Sequence, residues 1–327
     1  MVTGGSGFAA GYIVRELLGR GYRVRTTIRD LSRADAVRER IATPGDLSFV
    51  AADLLHDDGW DAAAEGMDFV VHTASPMPVG EFRGQDVIRP AREGTRRVLE
   101  AAHSAGVRRV VLTSSTSAAM PADPQAPADE SVWSDLPDEP KYNYPRAKTL
   151  AEQDAWRISR GWADGPELVT VLPANIQGPA LDADLSPSIT VLRLMLAGRM
   201  PMIPQIGWAV VDVRDLATLH AEAMTAPAAV GLRFIAAGDF LWLTEVAGII
   251  RDRFGAQAAK VPRRTMPNWL VRAAAPFNAE MAQLAPRLGV RGRLNAERAE
   301  KLLGWRSRPA AESITDAAGS LLRLGLV

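Results

Sequence analysis

The chain has 327 residues, 47% apolar and 23% charged, enough for one large layered core and a smaller lobe. Lys plus Arg and Asp plus Glu both number 38, a balance that offers nothing to nucleic acid or an acidic membrane surface. Cysteine is absent, which excludes disulfides, thiolate metal sites and cysteine nucleophiles; the four histidines (His56, His72, His103, His220) lack metal-ligand spacing, so no metal is expected.

The chain opens on Val2-Thr3-Gly4-Gly5-Ser6-Gly7-Phe8-Ala9-Ala10-Gly11, which reads as a strand end, a tight glycine turn and the first turn of a helix. Such a turn aims backbone N–H groups and a positive helix end at a pyrophosphate. Gly4 permits the turn, Gly7 lets a phosphate approach closely, and Ala10 leaves helix and strand room to pack. Leu17 and Leu18 continue the helix face, and Gly21 stands where it should stop. Strands are predicted at 22–28, 47–51, 67–74, 110–113 and 168–172, the last ending at Pro173. Helices are predicted between them: one capped by Asp30 or Ser32 and running through 41, a short one around Ala62, then 87–105 and 144–162. This alternation predicts an α/β fold, a doubly wound parallel sheet.

Residues 120–140 carry five prolines and many acids and read as a long functional loop. After Gly178-Pro179 the rhythm changes. A helix is predicted at 187–198, another opening after 210–215, a strand at 231–236 able to rejoin the sheet, and a helix at 296–303 with Asn295 as N-cap and Gly304 as stop. The expected division is 1–176 as the dinucleotide-binding domain, with a returning segment near 209–236, and 177–327 as a smaller, mostly helical substrate lobe over the carboxyl ends of the strands. No apolar run is long enough to span a bilayer and no signal peptide is visible, so a cytoplasmic protein is expected. Only Met1-Val2-Thr3 precede Gly4, whereas a central strand usually has five or six residues. The natural start is therefore expected upstream.

Tyr144-Pro145-Arg146-Ala147-Lys148 puts Tyr and Lys on one face at the start of a helix, after a strand that ends in Ser114-Ser115. With the glycine turn, this set resembles the extended short-chain dehydrogenase/reductases. The flanks sharpen the likeness: Thr3-Gly4-Gly5-Ser6-Gly7-Phe8, Pro90-Ala91 with Gly94-Thr95, Asp129-Glu130-Ser131-Val132-Trp133-Ser134-Asp135, Lys148-Thr149-Leu150-Ala151-Glu152-Gln153 and Val211-Asp212-Val213-Arg214-Asp215 look like the dihydroflavonol-4-reductase-like and aldehyde reductase group. The likeness spans nearly the whole chain, ending at Leu303-Gly304-Trp305.

That resemblance implies roles. Tyr144 would protonate a carbonyl oxygen as hydride arrives at carbon, Lys148 would lower the Tyr144 pKa and hold the nicotinamide ribose, and Ser115, last of the serine pair, would bind the substrate oxygen. Phe8 belongs to the glycine motif. Asp53-Leu54 would contact adenine, though Asp53 also suits a helix cap. Thr73-Ala74-Ser75 would line the middle of the cofactor, and Pro173 to Ile176 would face the nicotinamide. Arg29 follows the second strand, with Arg33 in reach; an Arg there accommodates the 2′-phosphate of NADP, while Asp30 argues the other way.

The expected activity is NADPH-dependent reduction of a small hydrophobic aldehyde or ketone by a monomer or homodimer. Met120 stands where plant dihydroflavonol reductases carry Asn, and Tyr142-Asn143 where cinnamoyl-CoA reductases carry Asn-Trp, so neither named substrate is favoured. Trp133, Met120, Met200, Met202, Ile206 and Trp208 either line an apolar pocket or simply pack. A nucleotide-sugar epimerase and a non-catalytic NADP-sensing protein are the alternatives. The first fits the 129–135 signature badly, and the second would dispense with the Tyr/Lys pair.

Overall fold

Runs of β-branched residues alternate with amphipathic helices, and the computed structural model, which describes residues 1–76 and 86–327 and all their side chains except those of 279, 280 and 283, turns that alternation into a parallel sheet. Helix α1 (Phe8–Gly19) stops before Gly21, whose φ of 82° a side chain would resist. Strands β1 (Val24–Ile28) and β2 (Leu47–Ala51) flank α2 (Ala34–Ile41). Helix α3 (Trp60–Ala64) leads to β3 (Phe69–His72), and α4 (Ile88–Ser104) to β4 (Arg109–Thr113), buried along its whole length. The long loop contains the two-residue strand β5 (Pro127–Ala128) and ends at the 3-10 turn Pro140–Tyr142. Helix α5 (Asn143–Arg160), β6 (Glu167–Pro173) and β7 (Asn175–Gln177) follow.

The second half holds α6 (Pro187–Leu196), β8 (Ile203–Pro204), β9 (Gly207–Asp212), α7 (Val213–Thr225), β10 (Arg233–Ala236), β11 (Phe240–Trp242), α8 (Leu243–Phe254), β12 (Thr265–Met266), α9 (Asn268–Ala274), α10 (Ala279–Leu284), β13 (Arg293–Leu294), α11 (Glu297–Leu303) and α12 (Ala310–Arg323). Asn295, expected as the N-cap of α11, lies one residue before the observed cap, Ala296, though its side chain still accepts the Glu297 N–H at 2.8 Å.

The main sheet runs β2-β1-Val2-β3-β4-β6-β10, all parallel. Its central lane is a stub. Val2, fully buried, bridges Thr26 on one side and Val71 on the other. Val2 donates to the Arg25 carbonyl at 2.8 Å and Thr3 to that of Val71 at 3.0 Å, so both neighbouring strands are paired through it. Helices α1, α2 and α7 cover one face with Ile13, Val14, Leu17, Val37, Leu216 and Leu219. Helices α3, α4 and α5 cover the other with Trp60, Val98, Leu99 and Ala155.

Strand β10 rejoins the sheet beside β6, as its sequence suggested. Strand β9 does not; it pairs with β7 and β11 in a small separate sheet, so α7 and β10 carry the return. A second apolar core joins α6, α8 and α12 through Ile189, Leu192, Val246, Ile250, Ile314 and Leu321. Ile206 lies in that core, and Met200 and Trp208 pack against it, which is the packing reading of these residues.

Two buried histidines fasten the sheet's carboxyl ends. The His72 Nδ1 receives the Thr3 hydroxyl at 2.8 Å. The His220 Nδ1–H donates to the Leu216 carbonyl at 2.8 Å, leaving Nε2 to accept the Thr113 hydroxyl at 2.8 Å. Burial holds both rings neutral, pushing His72 down to about 3, with the Lys148 charge adding to the effect, and His220 down to about 4. Above pH 6.5 both folded and unfolded chains keep these rings neutral. Below it only the unfolded chain takes up the protons, so stability falls on acidification by up to about 1.4 kcal/mol per pH unit for each ring. Urea unfolding between pH 6.5 and 5 should show this slope, reduced by roughly half in His220→Gln; an unchanged slope would contradict the assignment.

Candidate active site

The glycine turn sits at the carboxyl end of the central stub. Gly4 has φ of 73°, and a Cβ there would come within 3.1 Å of Ala74. The turn closes through Gly7 N–H to the Gly4 carbonyl at 2.8 Å. Gly7 caps α1 without any side-chain bond to its first-turn N–H groups, which leaves the helix end open to an anion. Ala10 is buried and Phe8 half-buried beside it. The Thr3 hydroxyl accepts the N–H groups of Thr73 and Ala74, each at 3.0 Å, which aligns Thr73, Ala74 and Ser75 along the turn. From behind, Arg40 donates to the carbonyls of Gly5 at 2.7 Å and Ser6 at 2.8 Å. Nothing in the sequence singles Arg40 out among the arginines of α2.

Arg29 and Arg33 stand exposed past the end of β1. The Asp30 carboxylate caps the next turn by accepting the Ser32 N–H at 2.9 Å. Asp53 caps the turn after β2 through the Leu55 N–H at 2.9 Å, while α3 takes Gly59 as its N-cap. Asp53 is therefore not a helix cap. Leu54 fills the space over Gly94, where a Cβ would lie 2.5 Å from its Cδ2. Pro173 is buried at the end of β6 and Ile176 is half-buried in β7.

Ser114 and Ser115 divide their work. The Ser114 hydroxyl donates to Glu152 at 2.6 Å. The Ser115 hydroxyl accepts the Ser117 N–H at 3.1 Å and stands near enough to the Tyr144 phenol to lower its pKa. Tyr144 lies in the first turn of α5 with Lys148 one turn on, buried, its ammonium donating to the Thr113 carbonyl at 3.2 Å. A crevice between the ends of β3 and β4 is lined by Ala74, Ser75, Ser114, Lys148 and Glu152. Burial lowers Lys148 to about 8, against the raising pull of Glu152.

Burial pushes the Tyr144 phenol above its ordinary value; the nearby Ser115 hydroxyl and the charge of Arg287 pull it back. Besides Lys148, to which the resemblance assigns this pull, Arg287 is therefore a second cation acting on the phenol, an accessible side chain at the end of the turn Ala285–Arg287. Sequence carried no signal for Arg287, because tertiary packing alone brings residue 287 to residue 144. Among the described residues no group of three or more His, Asp or Glu could hold a metal ion, and no helix is long and apolar enough to cross a membrane.

A parallel sheet in this order, a glycine turn at its centre and a Tyr/Lys helix beside it define a Rossmann protein of the short-chain dehydrogenase/reductase type. The sequence pattern of the NAD dependent epimerase/dehydratase family matches residues 1–235, and the chain belongs to that family. Tetraketide alpha-pyrone reductase 1 of Arabidopsis thaliana is 34% identical over 283 residues, 80% of this chain and 82% of that one. Cinnamoyl-CoA reductase 2 of Arabidopsis thaliana is 37% identical over 260 residues, 77% of this chain and 76% of that one. The crystal structure of yeast methylglyoxal/isovaleraldehyde reductase Gre2 complexed with NADPH superposes with a TM-score of 0.83 at 24% identity, covering 100% of this chain and 99% of that one. The family resemblance drawn from the motifs is borne out.

Arg287→Gln should raise the Tyr144 pKa further. Tyrosine ring 13C NMR across an alkaline titration reads this directly, and an unmoved or lowered Tyr144 would contradict the coupling.

Proposed function

We propose that this chain is an NADPH-dependent reductase that transfers hydride to the carbonyl carbon of a small hydrophobic aldehyde or ketone. The observation that carries the reading is the grouping of Ser115, at the end of β4, with Tyr144 and, one helical turn on, the buried Lys148 bonded to the Thr113 carbonyl, at strand ends that also hold the glycine turn. The uncapped first turn of α1 and the close approach of Gly4 to Ala74 suit a pyrophosphate. The exposed Arg29, with Asp30 committed to its own cap, suits a 2′-phosphate. Thr73, Ala74, Ser75, Leu54 and Ile176 would complete the cradle. Bound NADPH would supply the hydride.

The chain's own residues manage the oxygen and its proton. Ser115 holds the carbonyl oxygen, and Tyr144 donates the proton that the oxygen takes up. A phenol held above its ordinary value of about 10 is protonated at neutral pH, the form that donates. The phenolate left behind would be stabilised by two cations, Arg287 from the turn Ala285–Arg287 and Lys148 one turn along α5. The curated relatives bear the names of reductases, which supports reduction over epimerisation.

NADPH oxidation followed against a panel of aldehydes, ketones and sugar nucleotides tests the reading; turnover confined to sugar nucleotides would contradict it. Tyr144→Phe should lose reduction by about 10²- to 10⁴-fold while retaining NADPH affinity. Near-normal turnover in that variant would remove Tyr144 from the role. Arg29→Ala should raise KM for NADPH far more than for NADH, and equal effects on the two would remove the 2′-phosphate contact.

A further inference from the structure

Glu152 is fully buried on α5, one turn beyond Lys148. Its carboxylate accepts Ser114 Oγ at 2.6 Å, Thr170 Oγ1 at 2.7 Å, Trp156 Nε1 at 3.4 Å, and both Nε and Nη2 of Arg233 at 2.8 and 3.2 Å. One carboxylate thus links the catalytic helix to β4, β6 and β10.

Arg233 turns its other donors on the loops around Ser115. Nη1 donates to the carbonyls of Glu130 at 2.9 Å and Val132 at 2.7 Å, and Nη2 to that of Ala118 at 3.3 Å. Its guanidinium lies 3.7 Å from the centre of the Trp133 ring. Glu130 accepts the Ile235 N–H at 3.1 Å, which ties the same loop to β10 a second time. Ser134 bonds the Ser117 carbonyl and the Met120 N–H, both at 2.7 Å. The 129–135 signature is therefore read by one arginine and by the turn that follows Ser115.

We propose that Glu152 and Arg233 are positioning residues for the reaction: a single buried pair that fixes the Tyr144/Lys148 helix, the Ser114-Ser115 strand end and the Trp133 loop as one rigid unit. The Glu152 charge has a second effect, on Lys148. The groups facing that ammonium are the Thr113 carbonyl from β4, the neutral His72 from β3 and Glu152 from its own helix. The carbonyl and Glu152 favour the charged form, and Glu152, the one anion of the three, helps keep Lys148 an ammonium near neutral pH.

The proposal rests on the reductase reading, and two readouts keep the two separable. In cofactor-free protein the Cε NMR signals of the four lysines (Lys141, Lys148, Lys260, Lys301) report the Lys148 titration without any turnover. Wild type should titrate near 8, and Glu152→Gln lower by at least about half a unit; an unshifted Lys148 would overturn the electrostatic part. With a carbonyl substrate, Ser114→Ala and Arg233→Lys should each lower kcat roughly tenfold while KM for NADPH stays within about twofold. These two variants keep the buried charges paired, so they decide the case if Glu152→Gln does not fold. Wild-type kcat in both would overturn the positioning role, whereas a wild type inactive on every carbonyl would sink the reductase reading and leave the lysine titration to judge the pair.

Discussion

A carboxylate cut off from water must be met by charge and hydrogen bonds, and meeting it at Glu152 constrains most of this structure. A buried pair of this kind adds little net stability, but removing one partner typically costs about 3–5 kcal/mol. The requirement is geometric. Strand β10 must lie beside β6 for Arg233 to reach the carboxylate from one side while Ser114 reaches it from β4. Once Arg233 is there, its remaining donors need acceptors, and the carbonyls of Ala118, Glu130 and Val132 provide them. The proline-rich loop is consequently held in place by a charge that belongs to the sheet.

A second hub works on the cofactor side. Thr3 accepts two N–H groups from the end of β3 and gives its proton to His72, so a stub of strand fixes the turn that follows it. The two hubs meet at Lys148. Its charge presses on His72, which Thr3 holds, while Glu152 supports it from the helix. Positioning of the proposed cofactor and of the proposed proton donor is thus decided within one continuous set of buried polar contacts.

Much of this was legible in the chain because it is local. The glycine turn, the strand–helix alternation and the spacing of Tyr144 and Lys148 depend on residues close in sequence, and each appears where its pattern predicted. Glu152 was visible at the right spacing after Lys148, yet its partner is 81 residues away and nothing local marks Arg233 as that partner. Arg287 and Arg40 escaped for the same reason. Apolar pattern alone left Ile206 and Trp208 open between pocket and core, since the two look alike until the packing of the second lobe is known. Strand β9 falls within the segment expected to return to the main sheet, but it pairs with β7 and β11 instead.

In the proposed reaction hydride reaches a carbonyl carbon while Tyr144 supplies the proton at oxygen. Isotope transfer tests that claim most directly. Turnover with NADPH deuterated at the reactive C4 position, using the best carbonyl substrate, should give an alcohol with one deuterium on the carbinol carbon as analysed by NMR and mass spectrometry. An alcohol free of deuterium from either C4 face, or NADPH left unconsumed with every carbonyl offered, would contradict the account.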